Sequence, residues 1–114
     1  MRGEYWFNSE PISKHIDIIF EKEKYQFVNE VVHLYSIDEL EVITNAIKER
    51  IENKRPYAYA KEYCCIRVDF ALCTIEYELP NQHYQCYIEA IDLVEILEKY
   101  LYLYEHIDAR FKKL

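Results

Sequence analysis

Between residues 65 and 91, apolar and polar side chains alternate almost without a break, and a period of two belongs to the β-strand. Ile66, Val68 and Phe70 alternate with Arg67 and Asp69, and Cys73, Ile75, Tyr77 and Leu79 alternate with Thr74, Glu76 and Glu78. The apolar phase slips from even to odd numbers at Ala71 and Leu72. One extra residue there, a β-bulge, returns every apolar group to one face, so the pattern predicts a single long strand over residues 65–79. Pro80 and Asn81 supply a turn. Over residues 83–91, Tyr84, Cys86 and Ile88 then alternate with Gln85, Tyr87 and Glu89, giving an antiparallel hairpin.

Two helices flank this hairpin. Ser36, Ile37, Asp38 and Glu39 form a capping box, in which Ser36 and Glu39 satisfy each other's backbone N–H groups. Leu40, Ile43, Ile47 and Ile51 follow on one face, widened by Val42 and Ala46, while Glu41, Asn45, Lys48, Glu49 and Glu52 lie opposite. Pro56 disfavours the α conformation in the residue before it, so the helix ends around residues 53–56. A second capping pair, Asp92 and Glu95, opens a helix whose stripe is Leu93, Ile96, Leu97, Tyr100, Leu101 and Tyr104. That helix runs to about Ile107 or beyond, with Arg110, Lys112 and Lys113 near its negative end.

Two patterns compete over residues 15–35. Ile16, Ile18 and Phe20 alternate as in a strand, with Lys22, Glu23 and Lys24 as a turn and residues 25–35 as the partner strand. Ile16, Ile19, Phe20, Phe27, Val31 and Leu34 also fit a long helix. The hairpin is preferred. The expected fold is α+β over residues 1–114 as a single domain: an antiparallel sheet of hairpins with two amphipathic helices packed on it, strand–strand–helix twice.

The chain has a single glycine, Gly3. Phosphate-cradling loops of the P-loop, Rossmann and kinase kinds need glycines where backbone approaches phosphate, so none of them can be built. The four cysteines, Cys64, Cys65, Cys73 and Cys86, show no C-x-x-C spacing and are expected to be free thiols, mostly buried and dispensable for function. No apolar run has the length of a signal peptide core or a membrane span, so a cytoplasmic location is expected. The histidines, His15, His33, His83 and His106, lack metal-pair spacing and are expected to be ordinary surface or strand residues. No cofactor, metal site or catalytic residue is expected.

Fourteen basic against 21 acidic residues give a net charge of −7, which argues against binding a phosphate backbone directly and suits a basic partner. On the hairpin, Asp69, Thr74, Glu76, Glu78, Gln85, Tyr87 and Glu89 are expected to share one outward face, an aromatic residue set among carboxylates. Glu76, Glu78, Tyr87 and Glu89 are therefore the first candidates for partner binding, with Asp69 a further candidate on the same face. Asp38, Glu39 and Glu41 at the first long helix start, with Asp92 and Glu95 at the second, are the next. Tyr57, Tyr59 and Tyr63 are expected to pack down a loop or to extend the partner surface.

In size, acidity, tyrosine content (12 residues) and missing catalytic motifs, the chain resembles the small acidic immunity proteins of bacterial contact-dependent and polymorphic toxin systems. The resemblance implies an inhibitor that occludes a basic cognate toxin, such as a nuclease. Other acidic binding modules, antitoxins or adaptors, share the same character, and a small enzyme is the remaining alternative.

Overall fold

The computed structural model describes residues 4–112, apart from 11, 14, 62, 63, 70 and 80, and its strands form two antiparallel sheets. β1 (Tyr5–Glu10) pairs with β2 (His15–Phe20). β3 (Tyr57–Lys61), β4 (Cys64–Asp69), β5 (Leu72–Leu79) and β6 (Gln82–Glu89) form a four-stranded sheet in the order β3-β4-β5-β6, each strand beside its neighbour in sequence. A 3-10 turn (Glu23–Tyr25), α1 (Phe27–Val32) and α2 (Ile37–Asn53) connect the sheets, and α3 (Ala90–Lys112) follows β6. The chain is thus α+β and built of antiparallel hairpins, with a strand order the sequence pattern did not predict.

The expected bulge at Ala71 and Leu72 is a chain reversal. β4 and β5 run antiparallel with Asp69 opposite Leu72, leaving a two-residue connection. Phe70, in that connection, lies outside the described residues. A bulge and a reversal both restore the apolar phase, because either puts Ile66 and Val68 on one face with Cys73 and Ile75. Length favours the reversal, because an unbroken strand over residues 65–79 would be longer than the roughly 3–10 residues usual for a strand. The next reversal falls between Leu79 and Gln82, where the turn was expected, although Pro80 itself is not described.

The first third differs more. Ile16, Ile18 and Phe20 are buried on β2 as the alternation requires, but their partner is β1, with Trp6 opposite Ile19 and Asn8 opposite Asp17. Residues 25–35 are not the second strand. They contain the end of the 3-10 turn and α1, which buries Val28, Val31 and Val32. Side chains from this segment occupy the edge of β2 where a strand was expected. Gln26 Oε1 accepts from the Phe20 N–H (3.0 Å), and Gln26 Nε2 donates to the Ile18 carbonyl (2.8 Å). Asn29 Oδ1 accepts from the Ile18 N–H (2.7 Å), and His33 Nε2 donates to the Ile16 carbonyl (2.9 Å). The backbone requirement of a sheet edge is met by side chains at positions 26, 29 and 33 of a helical turn.

α2 begins with the predicted capping box: Ser36 Oγ accepts from the Glu39 N–H and Glu39 Oε1 from the Ser36 N–H, each at 3.1 Å. Leu40, Ile43 and Ile47 are buried and Ile51 half-buried, whereas Val42, expected on the apolar face, is exposed. The helix closes at Lys54, whose φ of 53° places it in the left-handed region. α3 starts earlier than its capping pair predicted. β6 turns directly into helix at Ala90, whose N–H donates to the Ala71 carbonyl (2.7 Å), so Asp92 sits within the first turn and not ahead of it.

α2 and α3 pack on each other, α2 also meeting β3 and α3 meeting β5 and β6. Between them lies one continuous core that includes Ile43, Ile47, Ile66, Ile75, Ile88, Ile96 and Leu97. Burying each such side chain contributes roughly 1.5–3 kcal/mol. The one buried polar residue among those described, Thr44, donates its hydroxyl to the Leu40 carbonyl (2.6 Å) and leaves no orphan group there. Among the described residues no helix is long and apolar enough to cross a membrane.

Candidate partner-binding face

Because side chains alternate across a strand, packing one face of the larger sheet on the helices turns the other face to solvent. Cross-strand register builds that outer face in rows. Ala60, Cys65, Glu76 and Gln85 form one; Ala58, Arg67, Thr74 and Tyr87 form the next; Asp69, Leu72 and Glu89 form the third; Glu78 opposes His83 at the far end. The structure therefore brings together the first candidates, Glu76, Glu78, Tyr87 and Glu89, with Asp69 on the same face. Cys65, Thr74 and Glu76 are half-buried and the rest of the face is exposed, Leu72 at 44% and Tyr87 at 53%.

The carboxylates are not equivalent. Arg67 Nη2 lies 2.6 Å from Glu76 Oε1, and Gln85 Nε2 donates to the same oxygen at 3.0 Å. Glu76 is thereby neutralised within the sheet. Asp69, Glu78 and Glu89 have no ion-pair partner among the described residues. The repulsion expected between like charges on neighbouring strands is also reduced, since no two carboxylates oppose each other directly: Glu76 faces Gln85, Glu78 faces His83 and Glu89 faces Leu72. The face is a low apolar centre, Leu72 and Tyr87, bordered by three unpaired negative charges.

The second set of candidates is not part of this surface. Asp38 and Glu41 are exposed at the start of α2, but Glu39 is committed inside the molecule. Besides the capping box, it accepts from the Tyr59 hydroxyl (2.9 Å) and pairs with Lys61 Nζ (2.6 Å). These bonds, the Lys61 ammonium first, hold its carboxyl down at about 2. Tyr59 and Lys61 project from the inner side of β3, so the α2 start and the outer face lie on opposite sides of the sheet. At the start of α3, Glu95 pairs with Lys99 at 3.0 Å, which lowers its pKa.

Other expected sites are relocated. Residues 57–61 are a strand, not a loop, and Tyr57 and Tyr59 are half-buried against the core, with Tyr59 edge-on to Tyr35 at 5.6 Å. Tyr63 is not among the described residues. All four thiols are free: Cys64, Cys73 and Cys86 are buried and Cys65 is half-buried. Burial pushes the three buried thiols up, Cys73 to about 12, which holds them in the inert protonated form.

Sequence spacing also missed one constellation. His15 and His33 stack with ring centroids 4.7 Å apart, and His15 Nε2 lies 2.9 Å from Asp17 Oδ1. The i, i+2 spacing of His15 and Asp17 on an alternating strand was the available signal, since it puts both on one side. Nothing in the sequence links them to His33, which arrives through α1. In comparison with known proteins, no family model, no curated protein and no solved structure matches the chain.

Proposed function

We propose that this protein is a binding module that occludes a basic protein partner with the outer face of its four-stranded sheet, in the manner of an immunity protein acting on a cognate toxin. The observation that carries this reading is the set of unpaired carboxylates, Asp69, Glu78 and Glu89, around exposed Leu72 and Tyr87 on a face no described element covers. A toxin that handles nucleic acid presents a cationic groove, and carboxylates can take the place of phosphates there. Tyr87 supplies large contact area with a polar tip for the desolvated centre. The net charge of −7 adds long-range attraction and raises the encounter rate. Glu76 helps present the face, with Arg67 as its partner, and contributes less direct charge.

The test is co-expression with the product of the neighbouring gene, which the proposal requires to be a toxic basic protein, together with stopped-flow association of the two purified proteins. The wild type should protect the cell, and association should slow about tenfold or more between low and physiological salt. A triple reversal of Asp69, Glu78 and Glu89 to lysine should weaken binding by at least about a hundredfold, with the thermal melt unchanged. Unimpaired protection by the triple variant, or an acidic partner, would overturn the proposal.

A further inference from the structure

Three ligating groups converge at the end of the small sheet where β2 begins. His15 and Asp17 project from β2, and His33 stands at the C-terminal end of α1. One nitrogen from each ring and one carboxylate oxygen of Asp17 all lie within 4.8 Å of one another. His33 Nε2 is also 4.0 Å from Asp17 Oδ1. We infer that His15, Asp17 and His33 form a binding site for a divalent transition-metal ion of the zinc type.

The donor chemistry selects the ion. Two imidazoles and one carboxylate suit zinc and its neighbours, whereas magnesium and calcium require oxygen ligands throughout. The His33 nitrogen that approaches Asp17, Nε2, donates to the Ile16 carbonyl in the metal-free form, so ligation through it moves that proton to Nδ1 and exchanges the Ile16 bond for the ion. One supporting contact is already in place. Asn29 Nδ2 donates to Asp17 Oδ1 at 3.4 Å and orients the carboxylate. The Tyr100 ring meets the His33 ring edge-on at 6.4 Å and shields its inner side.

The open position is at the exposed end, where His15 is about half exposed and Asp17 about one-third. Donors on a tetrahedral zinc ion stand about 3.3 Å apart, given bonds of ~2.0–2.1 Å. The widest gap must therefore close by about 1.5 Å, which rotation of the exposed His15 ring supplies. In the metal-free form, a His15 proton bridges to Asp17. Ligation through Nε2 moves that proton to Nδ1 of the same neutral ring, by exchange with solvent, and leaves one coordination position for water. The ion would clasp β2 to the end of α1 across the connection that the Gln26 and Asn29 side chains already hold.

The site is tested by calorimetric titration of chelator-stripped full-length protein with zinc sulfate, beside thermal melts with and without zinc. One ion should bind per chain and raise the melting temperature, and magnesium should give no heat. Changing a supporting contact of a metal ligand costs ten- to a hundredfold, so His15→Ala and Asp17→Asn should each weaken binding by at least about tenfold. Both positions are exposed or half-buried, so these variants should fold. His83→Ala should bind as the wild type does. The inference is overturned by the absence of saturable zinc binding, or by wild-type affinity in both His15→Ala and Asp17→Asn.

Discussion

Glu39 accepts from the Ser36 N–H, the Tyr59 hydroxyl and the Lys61 ammonium, so a single carboxylate ties the start of α2 to the inner side of β3. Its pKa in the fold is about 2 against an ordinary 4.5. A depressed acid stabilises the fold above its ordinary value, and that contribution is lost as the pH falls from about 4.5 through about 2. Urea unfolding of Glu39→Gln across this range should show a deficit relative to the wild type near pH 6 that shrinks steadily toward pH 2. A deficit independent of pH would mean that shape and not charge holds the contact. Half of this arrangement was legible in the sequence: Ser36 and Glu39 are three residues apart, and a capping box is a local motif. Tyr59 and Lys61 arrive from 20 and 22 residues away, and no local pattern carries that information.

At the scale of elements, the edge of β2 is completed by amide and imidazole side chains in place of a backbone strand. Gln26→Ala frees the Phe20 N–H and the Ile18 carbonyl, and Asn29→Ala frees the Ile18 N–H. Each change should cost about 1–3 kcal/mol, the typical penalty for leaving a partly buried polar group unsatisfied, as read from urea midpoints. This solution also accounts for the misassigned segment. The alternation at Ile16, Ile18 and Phe20 was sound, and it demands a hydrogen-bonding neighbour on each edge. It does not say whether that neighbour is a strand or a row of side chains. The sequence pattern does not reveal β1 for a related reason: Trp6 is 54% exposed although large and apolar, which obscures the period of two across Tyr5, Phe7 and their neighbours. The outer face, in contrast, was legible because both the bulge and the reversal place Thr74, Glu76 and Glu78 on the side opposite Ile75. What the pattern left out was Arg67, whose pairing with Glu76 redistributes the charge of the face toward Asp69, Glu78 and Glu89.

Across the whole molecule, every strand pairs with its neighbour in sequence, and neither sheet contains a crossover. This order has a consequence for how the chain acquires its structure in time. Closing a short connection costs little chain entropy, and the cost rises only slowly with loop length. Each hairpin can therefore form before the rest of the chain is in place, and the docking of α2 on α3 is left as the main non-local step. Mean sequence separation between contacting residues governs folding rate, and mixed domains rich in local pairing fold on the order of milliseconds. Stopped-flow refolding from urea should accordingly recover most of the amplitude on that scale. Substitutions at Ile47 or Ile96, on the faces that close the core between the helices, should accelerate unfolding more than they slow folding. A dominant phase slower than about a second would place helix docking, and not hairpin formation, at the barrier. A chain that matures this quickly would present its charged outer face almost as soon as its last strand is available.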